Sequence, residues 1–313
     1  PCNVRGVGRS RSMVPPHERA RCKLMLYDAL VAPFADYAFM RRALVGSIAL
    51  SFGAAPVGVF LLLRRMSLVG DAMAHGILPG AAIGFLLFGL EIVPMTIGGI
   101  IAGLAVAVAA GLVARTTVLR EDASLAAFYL ISLALGVLIV SARGSSVDLM
   151  HVLFGTVLAL DDTALIILAA TTTVSLIVLA AIIRMLIAEC VDPSFLAVVS
   201  GSGGIAHLLF LVLVVLNLVA AFQALGTLLA VGLMMLPAAS ARFWVRSLDL
   251  LMAVAVAIAI MASISGLLVS FHFGLASGPA IILSAGIVYV VSLIFGPVSG
   301  LAWRILPPRH REA

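Results

Sequence analysis

The chain predicts an all-α fold, a polytopic transmembrane helical bundle of about eight spans, and three observations lead there. Of its 313 residues 63% are hydrophobic and 11% are charged. That is less than half of the roughly 25% charge a soluble domain carries, so lipid must be the solvent for most of the surface. The apolar runs last about 20 residues, the length that crosses a bilayer as a helix. They are continuously apolar, whereas the strands of a transmembrane β-barrel alternate apolar and polar.

Each element can be read in order. Residues 1–24 are basic, contain Pro and Gly and have no apolar core, so they do not read as a secretory signal. They are expected to be a disordered or non-native leader, with Met25 as a plausible start. Residues 25–42 read as an N-terminal interfacial segment, 43–303 as one membrane domain and 304–313 as a tail. Spans fall at about 43–63, 67–89, 95–114, 124–141, 163–187, 205–236, 248–271 and 279–303. The sixth is too long for one simple crossing, so a break is expected near Gly226 or Gly232, or a half-helix leading to Pro237.

The net charge of +5 says little about nucleic acid, since Lys23 is the sole lysine and much of the arginine sits at the two ends. Cys2, Cys22 and Cys190 have no paired spacing, so neither a disulfide framework nor a thiolate metal site is indicated. No G-x-x-x-x-G-K-[ST], H-E-x-x-H or G-x-S-x-G occurs, which leaves no P-loop, metalloprotease helix or hydrolase elbow in the chain. If ATP powers this molecule, another subunit hydrolyses it. Arg64, Arg65, Arg115 and Arg120 favour a cytoplasmic 1–2 and 3–4 connection, whereas the basic leader and tail pull both termini inward. For an even number of spans these demands conflict, and the short loops carry more weight.

The most informative stretch is "MSLVGDAMAHGILPG", Met66 to Gly80. Asp71 is the only acid read well inside a span, and a carboxylate at the bilayer centre costs about 2.5–3.5 kcal/mol, so it needs a role. Asp71 and His75, four apart, share one helix face and can converge on one ion. Pro79 has no N–H, so the carbonyl of His75 loses its helical partner. Carboxylate oxygen with imidazole nitrogen suits Mn²⁺, Zn²⁺ or Fe²⁺. A structural reading stands beside this one: the pair can bond to each other or to a neighbouring helix and hold the bundle together. Gly76, Gly80 and Gly84 form a small-residue ridge for close helix approach. His151, His207 and His272 stand at segment ends, and Glu121–Asp122 reads as a solvated loop cluster.

The same stretch resembles the signature of the membrane permeases of ATP-binding-cassette importers for zinc, manganese and iron: Leu-x-Gly-Asp-Ala, a histidine four after the aspartate, then Leu-Pro-Gly. "LFGTVLA" (Leu153 to Ala159) and "GTLLAVGLMMLPAASAR" (Gly226 to Arg242) match two further family blocks in order. The resemblance implies a type II ABC importer-like fold and a translocation path lined by Asp71 and His75, with Zn²⁺ or Mn²⁺ as cargo. It implies three partners: an ATP-binding subunit, an extracytoplasmic metal-binding receptor and a second permease chain. It places ATPase docking on the loop after the fifth span, with Asp192, Pro193, Phe195, Leu196 and Gly201. That loop is then cytoplasmic and both termini outside, with Arg242 and Arg246 facing the receptor. The chain departs from the family at Gly274 and Ala276, where many relatives carry aspartate and proline. A self-sufficient secondary cation carrier using Asp71 as an ion or proton relay is the alternative.

Overall fold

The computed structural model describes residues 27, 30–66, 68–89, 91–118, 121–142, 160–191 and 203–301. The leader, the tail and the loop holding Asp192, Pro193, Phe195, Leu196 and Gly201 lie outside the described residues. Within them the chain is helical: α1 (Ala32–Asp36), α2 (Ala38–Leu63), α3 (Val69–Gly76), α4 (Leu78–Phe88), α5 (Ile92–Thr116), α6 (Glu121–Ala142), α7 (Asp162–Val191), α8 (Gly203–Leu225), α9 (Thr227–Ala241), α10 (Leu248–Phe273) and α11 (Ser277–Phe295).

Helix α2 is the axis of the bundle. From Gly53 to Leu61 every residue is buried, and a helix apolar on all sides must be wrapped by others; here α7, α8, α9 and α10 do so. Its serines place no unpaired hydroxyl among these neighbours. Ser47 Oγ donates to Ala43 O (2.8 Å) and Ser51 Oγ to Ser47 O (2.7 Å), which satisfies them inside their own helix. Between α7 and α8, Asn217 Nδ2 donates to Ser175 Oγ, and within α8 it donates to Leu213 O, both at 2.8 Å. Such bonds are worth about 1 kcal/mol in a membrane protein.

Two backbone breaks shape the bundle. The first splits the second span: Pro79 stands at the start of α4, and Ile77 between α3 and α4 turns its N–H back to the carbonyls of Met73 and His75. Ser132 Oγ of α6 donates to the carbonyl of Gly76 (2.8 Å), occupying an acceptor at the interrupted turn. The second break is Gly226, with φ +90°, a conformation costly for any residue with a Cβ. There the chain turns from α8 into α9.

This turn sets which end each helix reaches. At the far end of α2, Tyr37 stacks on Phe271 in the last turns of α10 (ring centroids 5.3 Å apart), so the two 26-residue helices pack antiparallel. In α9 the backbone of Met234 lies against Gly58, and Met235 approaches Gly70. Helix α9 therefore runs back towards the Arg64 end of α2. Val298 N donates to Phe243 O (3.0 Å), and Trp244 Nε1 donates to Ser292 Oγ (2.8 Å), which brings the end of α11 to the same place. The break expected in the 205–236 run thus falls at Gly226 and separates two legs of opposite direction. The apolar run hid the reversal because one glycine alone marks it. Seven described stretches are long and apolar enough to cross a membrane. Helix α8 adds 23 residues, about 35 Å at 1.5 Å per residue, close to the expected eight spans.

Candidate metal site

Asp71 and His75 both lie on α3, held together by the helix itself. Asp71 Oδ1 is 3.9 Å from His75 Nε2, beyond hydrogen-bond range. Two ligands of one ion at about 2.1 Å each sit about 3–3.4 Å apart, so a small side-chain adjustment brings this pair onto a metal. His75 Nδ1 is buried and has no hydrogen-bond partner. The imidazole lies over Tyr129 of α6 (centroids 6.4 Å). Asp71 remains 64% exposed on the surface of the single chain, and the His75 side chain 31%.

The structure moves Asp71 from the place the sequence suggested. It sits in the first turn of α3, at the Arg64 end, because the connection after α2 is short. Beside it opens a cavity of about 100 Å³ lined by Leu68, Val69, Asp71 and Ala72 on one wall and Asp122, Leu125, Ala126 and Tyr129 on the other. Asp122 therefore faces the cavity that Asp71 lines, rather than belonging to a solvated loop. The structure starts α6 at Glu121, so Asp122 projects from the first helical turn. Among the described residues no three His, Cys, Asp or Glu are grouped to hold a metal. Among those residues Asp71 and His75 offer a ligand pair.

The glycine ridge is in contact with α5. A Cβ on Gly80 would fall on the carbonyl oxygen of Gly98, and one on Gly84 would lie 2.7 Å from Pro94 O; Gly76 meets Val106 at an ordinary 3.5 Å. Pro79 lies against Gly136 of α6, where an added Cβ would be 3.1 Å from the proline nitrogen.

Other residues require correction. Asp71 has company among the acids of the described spans: Glu189, two residues before the end of α7, has a side chain 14% exposed and forms an ion pair with Arg64. The fifth span read from sequence stopped at 187 and missed it. His207 joins this pair, with its Nδ1 3.3 Å from Arg64 Nη1, so it is more than an interfacial histidine. His272 stays exposed, its Nδ1 2.9 Å from Leu268 O in its own helix, and His151 is outside the described residues. Arg242 and Arg246 follow α9, so they stand at the end of the bundle where Arg64 meets both stems of the 192–202 loop. A receptor-facing role for the two arginines and a cytoplasmic loop cannot both hold. The same geometry puts the start of α2 and the end of α11 at opposite ends, against the expectation of two outside termini.

Comparison with known proteins gives concordant results. The family described as the ABC 3 transport family matches residues 36–296. The manganese import system permease protein ScaB of Streptococcus gordonii is 32% identical over 262 residues, 84% of this chain and 93% of its own length. The chelated iron transport system membrane protein YfeD of Yersinia pestis is 30% identical, over 91% of this chain and 94% of its own. Among solved structures, PsaBC from Streptococcus pneumoniae in complex with Fab superposes with a TM-score of 0.76 at 30% identity, covering 86% of this chain and 95% of that one.

Proposed function

The chain belongs to the ABC 3 transport family, and on that premise we propose that it carries manganese, with Asp71 and His75 holding the ion in transit. It is a multi-pass membrane permease subunit of a metal importer, a transporter component rather than an enzyme. The observation that carries the residue assignment is the 3.9 Å gap between Asp71 and His75. A pair kept only as structural glue would close that gap or bond to a neighbouring helix, whereas His75 Nδ1 is buried with no hydrogen-bond partner. Relatives named for manganese and iron favour Mn²⁺ or Fe²⁺, and a donor set of carboxylate oxygen and imidazole nitrogen is compatible with either. Family membership also sets aside the self-sufficient secondary carrier.

The partners follow from what the chain lacks. It has no P-loop, so a separate ATP-binding subunit hydrolyses ATP and docks on the 192–204 loop through Asp192, Pro193, Phe195, Leu196 and Gly201. The Asp71 side chain is 64% exposed on the single chain, on a face left open for a neighbour. A second copy of the chain covers that face, and its own Asp71 and His75 add the ligands one chain lacks. An extracytoplasmic receptor delivers the ion at the end opposite the loop. Arg242 and Arg246 are accordingly reassigned to the cytoplasmic end.

Uptake of radiolabelled Mn²⁺, normalised to membrane-inserted protein, tests the ligand roles. Asp71→Asn keeps the shape and removes the charge; His75→Ala removes the imidazole. Both are expected to abolish uptake while the folded protein and its complex with the ATPase persist. Near-normal uptake by Asp71→Asn would sink the assignment, because asparagine still serves a structural hydrogen bond.

A further inference from the structure

We propose that Arg64, Glu189 and His207 form a brace that ties both stems of the 192–202 loop to the turn feeding the Asp71 helix, making them positioning residues for coupled transport. The inference rests on the reading of that loop as the ATPase dock. Three distant parts of the chain meet here. Glu189 lies just before the loop in α7, His207 just after it in α8, and Arg64 caps α2 at the turn into α3.

The guanidinium meets three groups. One terminal nitrogen pairs with Glu189 Oε1, the other lies 3.3 Å from His207 Nδ1, and the plane sits over the Phe210 ring at 4.9 Å. Arginine has no acceptor, so at this contact the imidazole nitrogen is the accepting side. The three side chains are 7%, 14% and 13% exposed. Glu189 Oε2 is buried without a hydrogen-bond partner.

A purely structural joint would not be built this way. Apolar residues of similar volume hold helices together at least as well as a buried ion pair, which gains nothing from desolvation. What a fork of fixed geometry adds is a defined mutual position for the elements it joins. Arg64 is seven residues ahead of Asp71, and the residue between helices, Arg65, is held at φ +59°, a conformation a non-glycine residue adopts only when its surroundings impose it. A shift of either loop stem therefore moves Arg64, and through the short turn moves the start of α3 and its carboxylate.

The test uses the whole transporter, permease with its ATPase and receptor, in proteoliposomes, and reads Mn²⁺ taken up per ATP hydrolysed. Glu189→Gln removes the charge and keeps the shape; Arg64→Lys keeps the charge and loses the fork. Each is expected to leave the ATPase bound and hydrolysing while the ratio falls about tenfold, in the range of ordinary site–site coupling. An unchanged ratio in both overturns the brace, as does release of the ATPase, which would make the cluster a mere support for the dock. If Glu189→Gln fails to accumulate, Arg64→Lys and His207→Gln decide by the same ratio. Phe195→Asp with Leu196→Asp separates the two readings: retained ATPase and normal transport in that variant defeats the docking assignment and leaves the brace result to stand on its own.

Discussion

Arg65 shows how a single position can be read from backbone hydrogen bonds. Met66 N donates to Leu61 O (2.9 Å) and Arg65 N to Leu62 O (3.2 Å), the paired bonds of a Schellman ending with Arg65 at the left-handed position usually given to glycine. For a residue with a Cβ that conformation costs about 1–2 kcal/mol. Arg65→Gly is expected to raise the thermal midpoint of the detergent-solubilised protein, and Arg65→Val, branched at Cβ, to lower it. A valine variant as stable as the glycine variant would show that the turn is not strained. Asp71 is the opposite case at this scale. Its role comes from the pairing with His75 and from the exposure that a second chain must cover, and both properties belong to the side chain rather than to the turn.

At the scale of elements one of the tightest joints is between α4 and α5. Gly80 and Gly98 face each other so closely that neither has room for a Cβ. Gly80→Ala must push the helices apart, at a cost of about 1–3 kcal/mol. Gly111, in the same α5, has open space around its Cβ position, so Gly111→Ala is expected to be neutral or to stabilise by up to about 1 kcal/mol through helix propensity. Thermal unfolding of the two variants side by side checks the contrast. Equal midpoints would mean that the ridge does not bear the packing between these helices. Because α4 carries on from the Asp71–His75 helix across one broken turn, the ridge also fixes how deep that pair sits.

For the whole molecule the decisive feature is the reversal at Gly226, which brings Arg242 to the Arg64 end. Cysteine placed at 242 or 65, in a chain with Cys2, Cys22 and Cys190 changed to serine, is expected to react with a membrane-impermeant thiol reagent from one and the same side. Cysteine at position 37 is expected to react only from the other. Labelling of 242 together with 37 would overturn the two-leg reading of α8 and α9 and restore a receptor-facing surface for Arg242 and Arg246.

What the sequence determined by itself is what local composition controls. Charge scarcity and apolar runs of spanning length dictate helices in lipid, and neighbouring turns of one helix put Asp71 beside His75 whatever the bundle does. The break in the sixth span was legible too, since glycine is the residue that permits it. Only the tertiary structure decided where those pieces go. Hydropathy measures the apolar length of a segment and not its direction, so one glycine inside an apolar run could mark a kink or a reversal, and the contacts of Met234 with Gly58 chose the reversal. The same limit hid Asp122 beside Asp71 and the meeting of Arg64, Glu189 and His207. Asp71–Asp122, Arg64–Glu189 and Arg64–His207 each join residues more than fifty positions apart, and no periodicity along a chain records which helix will pack against which.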